Sequence, residues 1–160
     1  MTEIPPPRFE LYDVTSEDEF ADVFPVLKQL AVMEFSEDDQ AKITSKKVWL
    51  QYMAAQEQGY KLYAVRNNTE CLAVFGARIM NDPLNLGKPF LQINNLVVEE
   101  DYRGIGIGTE LFSRIDKLAK KLGCESVFLA VLKTNKKGRK FYETVGFNAP
   151  VADIMIKDIS

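Results

Sequence analysis

The sequence predicts a single α+β domain built on a mixed sheet, and three observations carry this prediction. The chain has 160 residues, of which 46% are apolar, and this is enough to bury one well-packed core. Short runs with strand character recur between segments of helical periodicity. Two such runs flank the turn pair Asn67-Asn68 and favour antiparallel pairing, whereas a later continuous apolar run favours a parallel strand.

The amino-terminal part predicts a strand followed by a helix. Residues 1–7 contain three consecutive prolines and predict an extended lead-in. Residues 9–14 alternate apolar and polar side chains, as a half-buried strand does. A capping box at residues 16–19 begins a helix, which Pro25 is expected to kink or split.

The middle of the chain predicts a second helix and three strands. A capping box at residues 36–39 begins a helix that runs toward Gly59. Residues 60–65 and 71–80 are rich in apolar and β-branched side chains and predict a hairpin. After a loop marked by prolines, residues 90–98 predict a strand that carries two consecutive amide side chains in its middle.

The carboxy-terminal part predicts a helix, a strand, a helix and a strand. One apolar face at helical spacing is formed by Leu111, Phe112, Ile115, Leu118, Ala119 and Leu122. Gly123 follows at the position of a left-handed cap. Residues 126–132 predict a parallel strand covered on both faces, residues 136–145 a short helix, and residues 151–156 a final strand. The sequence shows no repeat or linker, so we expect no second domain.

The composition excludes several classes of function. A net charge of −3 gives no general attraction to polyanions, so we expect neither nucleic acid nor a membrane as partner. The sequence has no run of about 20 apolar residues and no signal peptide, so we expect a cytoplasmic protein. The chain has no histidine, which removes Ser-His and Cys-His nucleophiles and the commonest zinc ligand, and we expect no metal. Cys71 and Cys124 lie in apolar runs and predict buried thiols.

A glycine-rich stretch lies between the predicted strand at residues 90–98 and the long helix; we call it the glycine segment, Arg103-Gly104-Ile105-Gly106-Ile107-Gly108. A turn of this kind before a helix directs unpaired backbone N–H groups and the positive end of the helix dipole to one place, which favours an anion. Glycines let the backbone close around phosphate oxygens, and Arg103 can add a charge-assisted contact. The expected ligand is a pyrophosphate.

The spacing of the glycines separates this segment from two other phosphate-binding loops. A Walker loop requires G-x-x-x-x-G-K-[ST], but Thr109 and Glu110 follow Gly108. The dinucleotide fingerprint G-x-G-x-x-G is matched from neither Gly104 nor Gly106. That fingerprint also belongs to the first strand-to-helix turn of its domain, whereas this segment lies well past the middle of the chain.

The glycine segment and its flanks resemble the acetyl-CoA-binding motif of the GNAT superfamily of N-acetyltransferases, R-x-x-G-x-G preceded by a strand ending L-x-V. The matching residues are Leu96-Val97-Val98 and Asp101-Tyr102-Arg103, followed by the glycines. A second stretch resembles the family's N-x-x-A-x-x-F-Y-x-x-x-G-F, with glycine in place of alanine: Asn135, Gly138, Phe141-Tyr142 and Gly146-Phe147. Two motifs in the family's order make the resemblance specific.

The resemblance implies a three-layer α/β domain over residues 1–160, with a mixed, mostly antiparallel central sheet of six to seven strands flanked by about four helices. It implies an N-acetyltransferase that moves an acetyl group from acetyl-CoA to a primary amine of a small molecule or protein, by direct attack in a ternary complex. The chain would act as a monomer or homodimer. The alternative is a non-catalytic CoA-binding sensor or interaction domain.

The resemblance also implies roles for individual residues. The Val98 N–H is expected to stabilise the oxyanion, and Tyr142 is the expected acid for the departing thiolate, with packing beside Phe141 as its alternative. The cofactor-binding residues that it implies are Leu96, Val97, Val98, Arg103, Gly104, Ile105, Gly106, Ile107, Gly108, Thr109, Asn135, Lys137 and Tyr142. Asn135 can also cap the following helix. The cations that either meet the adenosine phosphates or form a solvated helix face are Lys136, Lys137, Arg139 and Lys140.

The general base is the role for which the chain departs from the family. The family commonly uses a Glu on the strand before the glycine segment, where this chain has Asn94 and Asn95. We expect a water held by these amides, or the carboxylate of Glu34 or Glu57, to replace it. A base is needed because presenting an alkylamine in its neutral form at pH 7 costs about 4 to 5 kcal/mol. For Asn94, satisfying polar groups of the backbone or loops is the alternative.

The acceptor pocket is expected between the first two helices and the strand at residues 90–98. Four acidic residues of this region would suit a cationic amine: Glu34, Glu37, Asp38 and Asp39. The last three equally suit the start of the second helix. Trp49 and Tyr52 have the same two interpretations, because their spacing also suits a helix face packed on the core.

Overall fold

The structure is a computed structural model that describes residues 10–68, 70–81, 87–148 and 150–159, without the side chains of Met33 and Glu34. The predicted lead-in at residues 1–7 and part of the loop before residue 90 lie outside the described residues. The chain divides into two compact units, the first ending at Ala130 and the second beginning at Val131. Each unit is described by itself.

The first unit contains a five-stranded sheet in the order β1-β2-β3-β4-β5. The strands are β1 (Glu10–Asp13), β2 (Lys61–Asn67), β3 (Glu70–Met80), β4 (Phe90–Val98) and β5 (Ser126–Leu129). The first three pairings are antiparallel and the β4–β5 pairing is parallel. The mixed, mostly antiparallel sheet and the hairpin are therefore confirmed, whereas the expected six to seven strands are wrong within the described residues.

The last predicted strand is absent, and the one before it is shorter than expected. The strand predicted at residues 126–132 ends at Leu129, and it is not covered on both faces, because Phe128 is 50% exposed and stacks on Phe90 across the sheet. Residues 150–159 form no strand, and their apolar side chains are exposed. Apolar and β-branched content gives strand propensity, but a strand needs a neighbouring backbone to pair with.

Five α-helices are described rather than about four. They are α1 (Glu17–Glu34), α2 (Glu37–Lys42), α3 (Ser45–Gln56), α4 (Ile107–Lys121) and, in the second unit, α5 (Lys136–Thr144). The second predicted helix is broken because Thr44 begins a new one: its hydroxyl accepts a hydrogen bond from the Lys47 N–H at 3.4 Å. A 3₁₀ turn at Glu100–Tyr102 precedes the glycine segment.

Helix α1 runs through Pro25 without a break, so the expected split is wrong. Ser16 caps its first turn by accepting from the Glu19 N–H at 3.1 Å. The inward face of the helix is apolar, and Phe20 and Val23 are fully buried. Burying this face against the sheet offsets the one hydrogen bond that proline removes from the helix.

The core of the first unit lies between the sheet and α1 and α3. It contains Val14, Phe20, Val23, Val26, Trp49, Tyr52, Leu62, Ala64, Val74 and Val97. Helix α4 buries most of the predicted apolar stripe, with Leu111 and Ile115 fully buried. It ends at Lys121, and the φ of +78° at Gly123 confirms the left-handed cap that follows. Within the described residues, no helix is both long and apolar enough to cross a bilayer.

Candidate active site

The glycine segment forms an open N-terminus of α4. Gly104 and Gly106 have φ angles of +80° and +92°, a left-handed conformation that side chains with a Cβ rarely adopt. Gly106 is the N-cap residue of α4, and no described side chain caps this end. A Cβ built on Gly104 or Gly106 would meet no described atom within 4 Å. The main chain is therefore exposed here because no side chain covers it.

This geometry suits an anion. An α-helix leaves its first four N–H groups without intrahelical acceptors, and its dipole places partial positive charge at the same end. Helix α4 has 15 residues, and Ile107 anchors its first turn because its side chain is buried. The N-terminal N–H groups are thus held in place by the core while they face away from it, which is what a phosphate-binding turn requires.

Arg103, the first residue of the glycine segment, is bonded to β4 and to α1. Its Nε donates to the Val98 carbonyl at 2.9 Å, and its Nη2 donates to Gln29 Oε1 at 3.3 Å. These two bonds are to protein groups, so the predicted phosphate contact of Arg103 stays a prediction. The observed role of the guanidinium is to join the end of β4 to α1.

Gln29 completes that junction. Its Nε2 donates to Glu99 Oε1 at 2.9 Å, and its Oε1 accepts from the Glu100 N–H at 3.0 Å. The turn that leads into the glycine segment is therefore attached to α1 by a side chain about seventy residues earlier in the chain. Sequence reasoning missed Gln29, because a single glutamine on a helix carries no signal of so distant a partner.

Val98 turns its N–H away from β3. The Glu99 N–H donates to the Leu72 carbonyl at 2.8 Å, which makes these residues a hydrogen-bonded pair of the antiparallel ladder. Such pairs alternate, so Val98 and its partner Ala73 form the intervening pair, whose N–H and C=O groups point away from the opposite strand. On the other side, β5 accompanies β4 only as far as Ile93. The Val98 N–H therefore lies beyond the end of the parallel ladder.

The two amides of β4 lie beside a tyrosine that sequence reasoning missed. Asn95 has a φ of +51°, the one positive value at a described residue other than glycine, and its Nδ2 donates to the Tyr60 hydroxyl at 3.1 Å. Gly76, which pairs with Asn94, lies under Tyr60: a Cβ there would be 1.7 Å from the hydroxyl oxygen. The glycine inside β3 is the sequence signal for this close approach.

These residues border a pocket of about 390 Å³, which we call the aromatic pocket. Its lining is Phe20, Leu27, Val48, Gln51, Tyr52, Ala55, Tyr60, Leu62, Asn94 and Asn95. The pocket lies where the sequence predicts the acceptor, between the amino-terminal helices and β4. Asn94 and Asn95 are thus at the predicted location.

The wall of the aromatic pocket is rigid. The Tyr52 ring lies 5.8 Å from the Trp49 ring and 5.9 Å, edge to face, from the Tyr60 ring. The Tyr52 hydroxyl accepts a bond from the Leu62 N–H, so its place is fixed by the backbone of β2. Burial raises the pKa of both Tyr52 and Tyr60, and neither phenol is a base near neutral pH. Trp49 is buried in the core and does not line the pocket. Tyr52 belongs both to the core and to the lining of the pocket.

Glu57, one of the two carboxylates predicted as a base, is not among the described lining residues of the aromatic pocket, and the role of Glu34 stays a prediction. Glu57 is the exposed C-cap of α3, and the side chain of Glu34 lies outside the described residues. The acidic residues of α2 have local roles: Asp39 accepts from Lys42 at 3.0 Å and its N–H is capped by Ser36. The helix-start interpretation of this cluster is the one that the contacts support.

The second unit contains the other motif. Asn135 caps α5 by accepting from the Gly138 N–H at 2.9 Å, which confirms the predicted cap. A Cβ at Gly138 would lie 2.5 Å from this amide, a physical reason for glycine where the family pattern has alanine. Tyr142 packs between Phe141 and Phe147, with ring centroids 5.8 and 5.9 Å away, and burial raises its pKa. The tyrosine is therefore protonated at neutral pH.

The predicted cofactor-binding residues differ in whether their side chain or only their main chain is accessible to a ligand. The side chains of Val97 and Ile107 are buried in the core, so only their main chain can meet a ligand, whereas Ile105 is 68% exposed. Lys137 is exposed on α5. Its neighbour Arg139 pairs with Glu143 at 3.9 Å. For all of these residues, and for Leu96, Gly108 and Thr109, a cofactor role stays a prediction.

The cysteines are structural rather than reactive. Both are free thiols; Cys124 is buried and Cys71 is half-buried. Burial raises the pKa of Cys71 to about 12 and also raises that of Cys124, so neither forms a thiolate readily. Within the described residues, no group of three or more Cys, Asp or Glu side chains is placed to hold a metal ion.

With this fold and site established, comparison with known proteins gives the class. The sequence profile of the "Acetyltransferase (GNAT) family" matches residues 24–147, which is more than half of the chain. The chain therefore belongs to the GNAT acetyltransferase family. The match includes the glycine segment, both amides of β4 and the motif of α5.

Individual relatives are more distant. The chain is similar to the thialysine N-epsilon-acetyltransferase of Sus scrofa, at 36% identity over 35% of this chain and 33% of that protein. It is also similar to the glucosamine 6-phosphate N-acetyltransferase of Trypanosoma brucei brucei, at 33% identity over 39% of this chain and 41% of that protein. These matches thus span less than half of the length of either relative. A putative acetyltransferase from Agrobacterium tumefaciens str. C58 shares the fold, with a TM-score of 0.76, 19% identity and coverage of 93% and 99% of the two chains.

Proposed function

We propose that this chain transfers an acetyl group from acetyl-CoA to a primary amine. The observation that carries the proposal is the uncapped N-terminus of α4, where the left-handed Gly104 and Gly106 leave the main chain open to an anion. Membership of the GNAT family supports it. So do the two relatives, whose names state N-acetyltransfer to an amine-bearing small molecule.

The groups present suit a CoA thioester. A diphosphate needs several N–H donors close together, and the first turn of α4 supplies them without a side chain in the way. When bound, acetyl-CoA would supply the acetyl group as a thioester. We expect the Val98 N–H, which points away from β3 and lies beyond the end of the β4–β5 ladder, to donate to the oxygen on which charge develops.

The amine attacks the thioester carbonyl, a C–N bond forms and the C–S bond breaks. The nitrogen loses a proton and the sulfur gains one. The aromatic pocket favours the neutral amine, because removing the ammonium from water raises the energy of its charged form. The displaced proton passes to water held at Asn94 and Asn95, the amides that border the pocket.

We assign the second proton transfer to Tyr142. Burial raises its pKa, so the phenol keeps its proton until a stronger base appears. A thiolate, with a pKa of about 8.5 for its conjugate acid, can be protonated by water near pH 7, so the tyrosine accelerates this step rather than enabling it.

The test is thiol release from acetyl-CoA with and without a panel of primary amines, followed by mass measurement of the product. We expect release that depends on the amine and a product heavier by one acetyl group. Release that is the same without amine, or binding of acetyl-CoA without any acetylated product, would contradict the proposal. Asn95→Ala should lower the rate and change its dependence on pH; an unchanged profile removes Asn95 from the mechanism.

A further inference from the structure

Among the residues that the structure describes, the lining of the aromatic pocket carries no charged side chain. Its ten lining residues comprise five apolar side chains, two phenols and three amides, namely Phe20, Leu27, Val48, Ala55 and Leu62; Tyr52 and Tyr60; and Gln51, Asn94 and Asn95. Carboxylates, ammonium groups and guanidinium groups are absent from this set. Whatever binds there meets aromatic faces, aliphatic groups and neutral dipoles.

Two of the polar groups are already occupied. The Tyr52 hydroxyl accepts from the Leu62 N–H, and the Tyr60 hydroxyl accepts from Asn95 Nδ2. A ligand atom that carries a full charge would therefore lose water and gain no ion-pair partner. Burial of an unpaired charge is among the most unfavourable events in binding, whereas burial of an apolar group is favourable.

Two ion pairs of the same region lie outside the pocket lining. Asp39, from the acidic cluster predicted to face a cationic acceptor, pairs with Lys42, and both are well exposed. Lys61, next to the lining residue Leu62, pairs with Asp13 at 3.5 Å. Neither belongs to the lining of the aromatic pocket. The α2 carboxylates of the predicted acidic mouth, Glu37, Asp38 and Asp39, are thus not among the described lining residues of this pocket.

We infer that the acceptor is a primary amine with an uncharged, apolar body, and that a second charge on the acceptor prevents productive binding. This inference rests on the proposed function and specifies its acceptor. The reactive nitrogen lies at Asn94 and Asn95, and the body lies against Phe20, Tyr52 and Leu62. The pocket volume of about 390 Å³ is near the lower end of small-molecule sites, about 300 to 1,000 Å³, and suits a small acceptor.

Three amines with a six-carbon chain test the inference: hexylamine, 1,6-diaminohexane and 6-aminohexanoate. They share the reactive group and differ at the sixth carbon, which is a methyl group, carries an ammonium or is a carboxylate. We expect kcat/KM for hexylamine to exceed that for each of the other two by at least about tenfold, since tenfold corresponds to about 1.4 kcal/mol. Equal or higher kcat/KM for either charged-end amine would overturn the inference while leaving the proposed function intact.

Binding of the three amines in the absence of acetyl-CoA, measured by calorimetry at pH 9, gives a second readout. It does not need turnover, so it separates the pocket from the reaction. Tighter binding of hexylamine supports the inference even where no amine is acetylated, an outcome that would overturn only the proposed function. Tighter binding of a charged-end amine contradicts the inference.

Gln51→Glu places a carboxylate in the lining at the exposed end of the pocket. It should raise kcat/KM for 1,6-diaminohexane about tenfold relative to hexylamine. Gln58→Glu is the matched control, because Gln58 is exposed just after α3 and does not line the pocket. The same shift in both variants would mean that general surface charge, and not the lining, sets the preference.

Discussion

The glycine segment and the aromatic pocket use opposite parts of the polypeptide. The glycine segment presents main-chain groups, and its two left-handed glycines matter because they lack side chains. The aromatic pocket presents side chains from α1, α3, β2 and β4, residues separated by as many as 75 positions. A ligand shared by a family can be bound by the main chain, because the backbone geometry of the site is kept when side chains elsewhere in the protein change. A ligand specific to one protein is selected by side chains.

The largest expected effect comes from a substitution in the glycine segment. Gly106→Val puts a branched side chain on a residue with a φ of +92° at the N-terminus of α4. Two or three charge-assisted hydrogen bonds of about 1.5 to 3 kcal/mol each would be lost, so CoA affinity should fall on the order of a thousandfold. The measurement is calorimetric titration with CoA.

Gly123→Val is the control for Gly106→Val. Gly123 has a similar φ of +78° and similarly open surroundings, but it lies at the other end of α4. Both variants carry the same left-handed strain of about 1 to 2 kcal/mol, so both should melt at lower temperature. Only Gly106→Val should lose CoA binding; parallel losses in the two variants would show that strain, not the anion site, is responsible.

Tyr142→Phe sharpens the comparison by testing a residue outside both regions. The turnover number should fall about tenfold or more, with CoA affinity unchanged, because positioned acids commonly contribute at least that much. Burial raises the pKa of Tyr142, so the acid stays protonated through neutral pH and ionisation of Tyr142 should not limit wild-type activity there. The matched control is Tyr12→Phe, a partly buried tyrosine of β1. Unchanged turnover in Tyr142→Phe would leave the ring with a packing role alone.

Gly76→Ala tests the aromatic pocket. The added Cβ would lie 1.7 Å from the Tyr60 hydroxyl oxygen, so the ring must move and take with it the bond to Asn95. We expect a stability loss of about 1 to 3 kcal/mol, typical of an overpacked site, measured by urea unfolding. CoA affinity should not change. In the Gly76→Ala/Tyr60→Ala double variant the two losses should not add, because removing the ring removes the clash; simple addition would mean that the contact is not the cause.

The sequence predicts the glycine segment better than the aromatic pocket, because the first depends on neighbouring residues and the second on distant ones. The glycine segment, strand β4, the cap at Gly123 and the cap by Asn135 were predicted because each depends on residues adjacent in the chain. The aromatic pocket was located only by region, and Tyr60 was missed, because its contacts are with residues up to 35 positions away. The break at Thr44 was missed because the preceding apolar pattern is also helical. The final strand was predicted from propensity, which carries no information on a pairing partner.

A final expected effect concerns stability at high pH and involves two tyrosines that lie outside both regions. Burial raises the pKa of Tyr12 and of Tyr63 from 10.0 to about 12, so between these values the folded state binds protons that the unfolded state releases. Their contribution is therefore complete below pH 10 and is lost as the pH rises to about 12. The midpoint of urea unfolding should be similar at pH 8 and pH 10 and lower at pH 11. Replacing both residues by phenylalanine should flatten that fall; an equally steep decline would assign it to other groups.

The most direct test of the central claim observes the backbone amides of the glycine segment. In ¹⁵N-labelled protein, the amide resonances of Gly104, Gly106 and Gly108 should shift on titration with CoA and stay in place with pantetheine, which has the same arm but no diphosphate. Shifts confined to other parts of the chain, or equal shifts with both compounds, would contradict the claim that main-chain amides at the start of α4 bind the diphosphate.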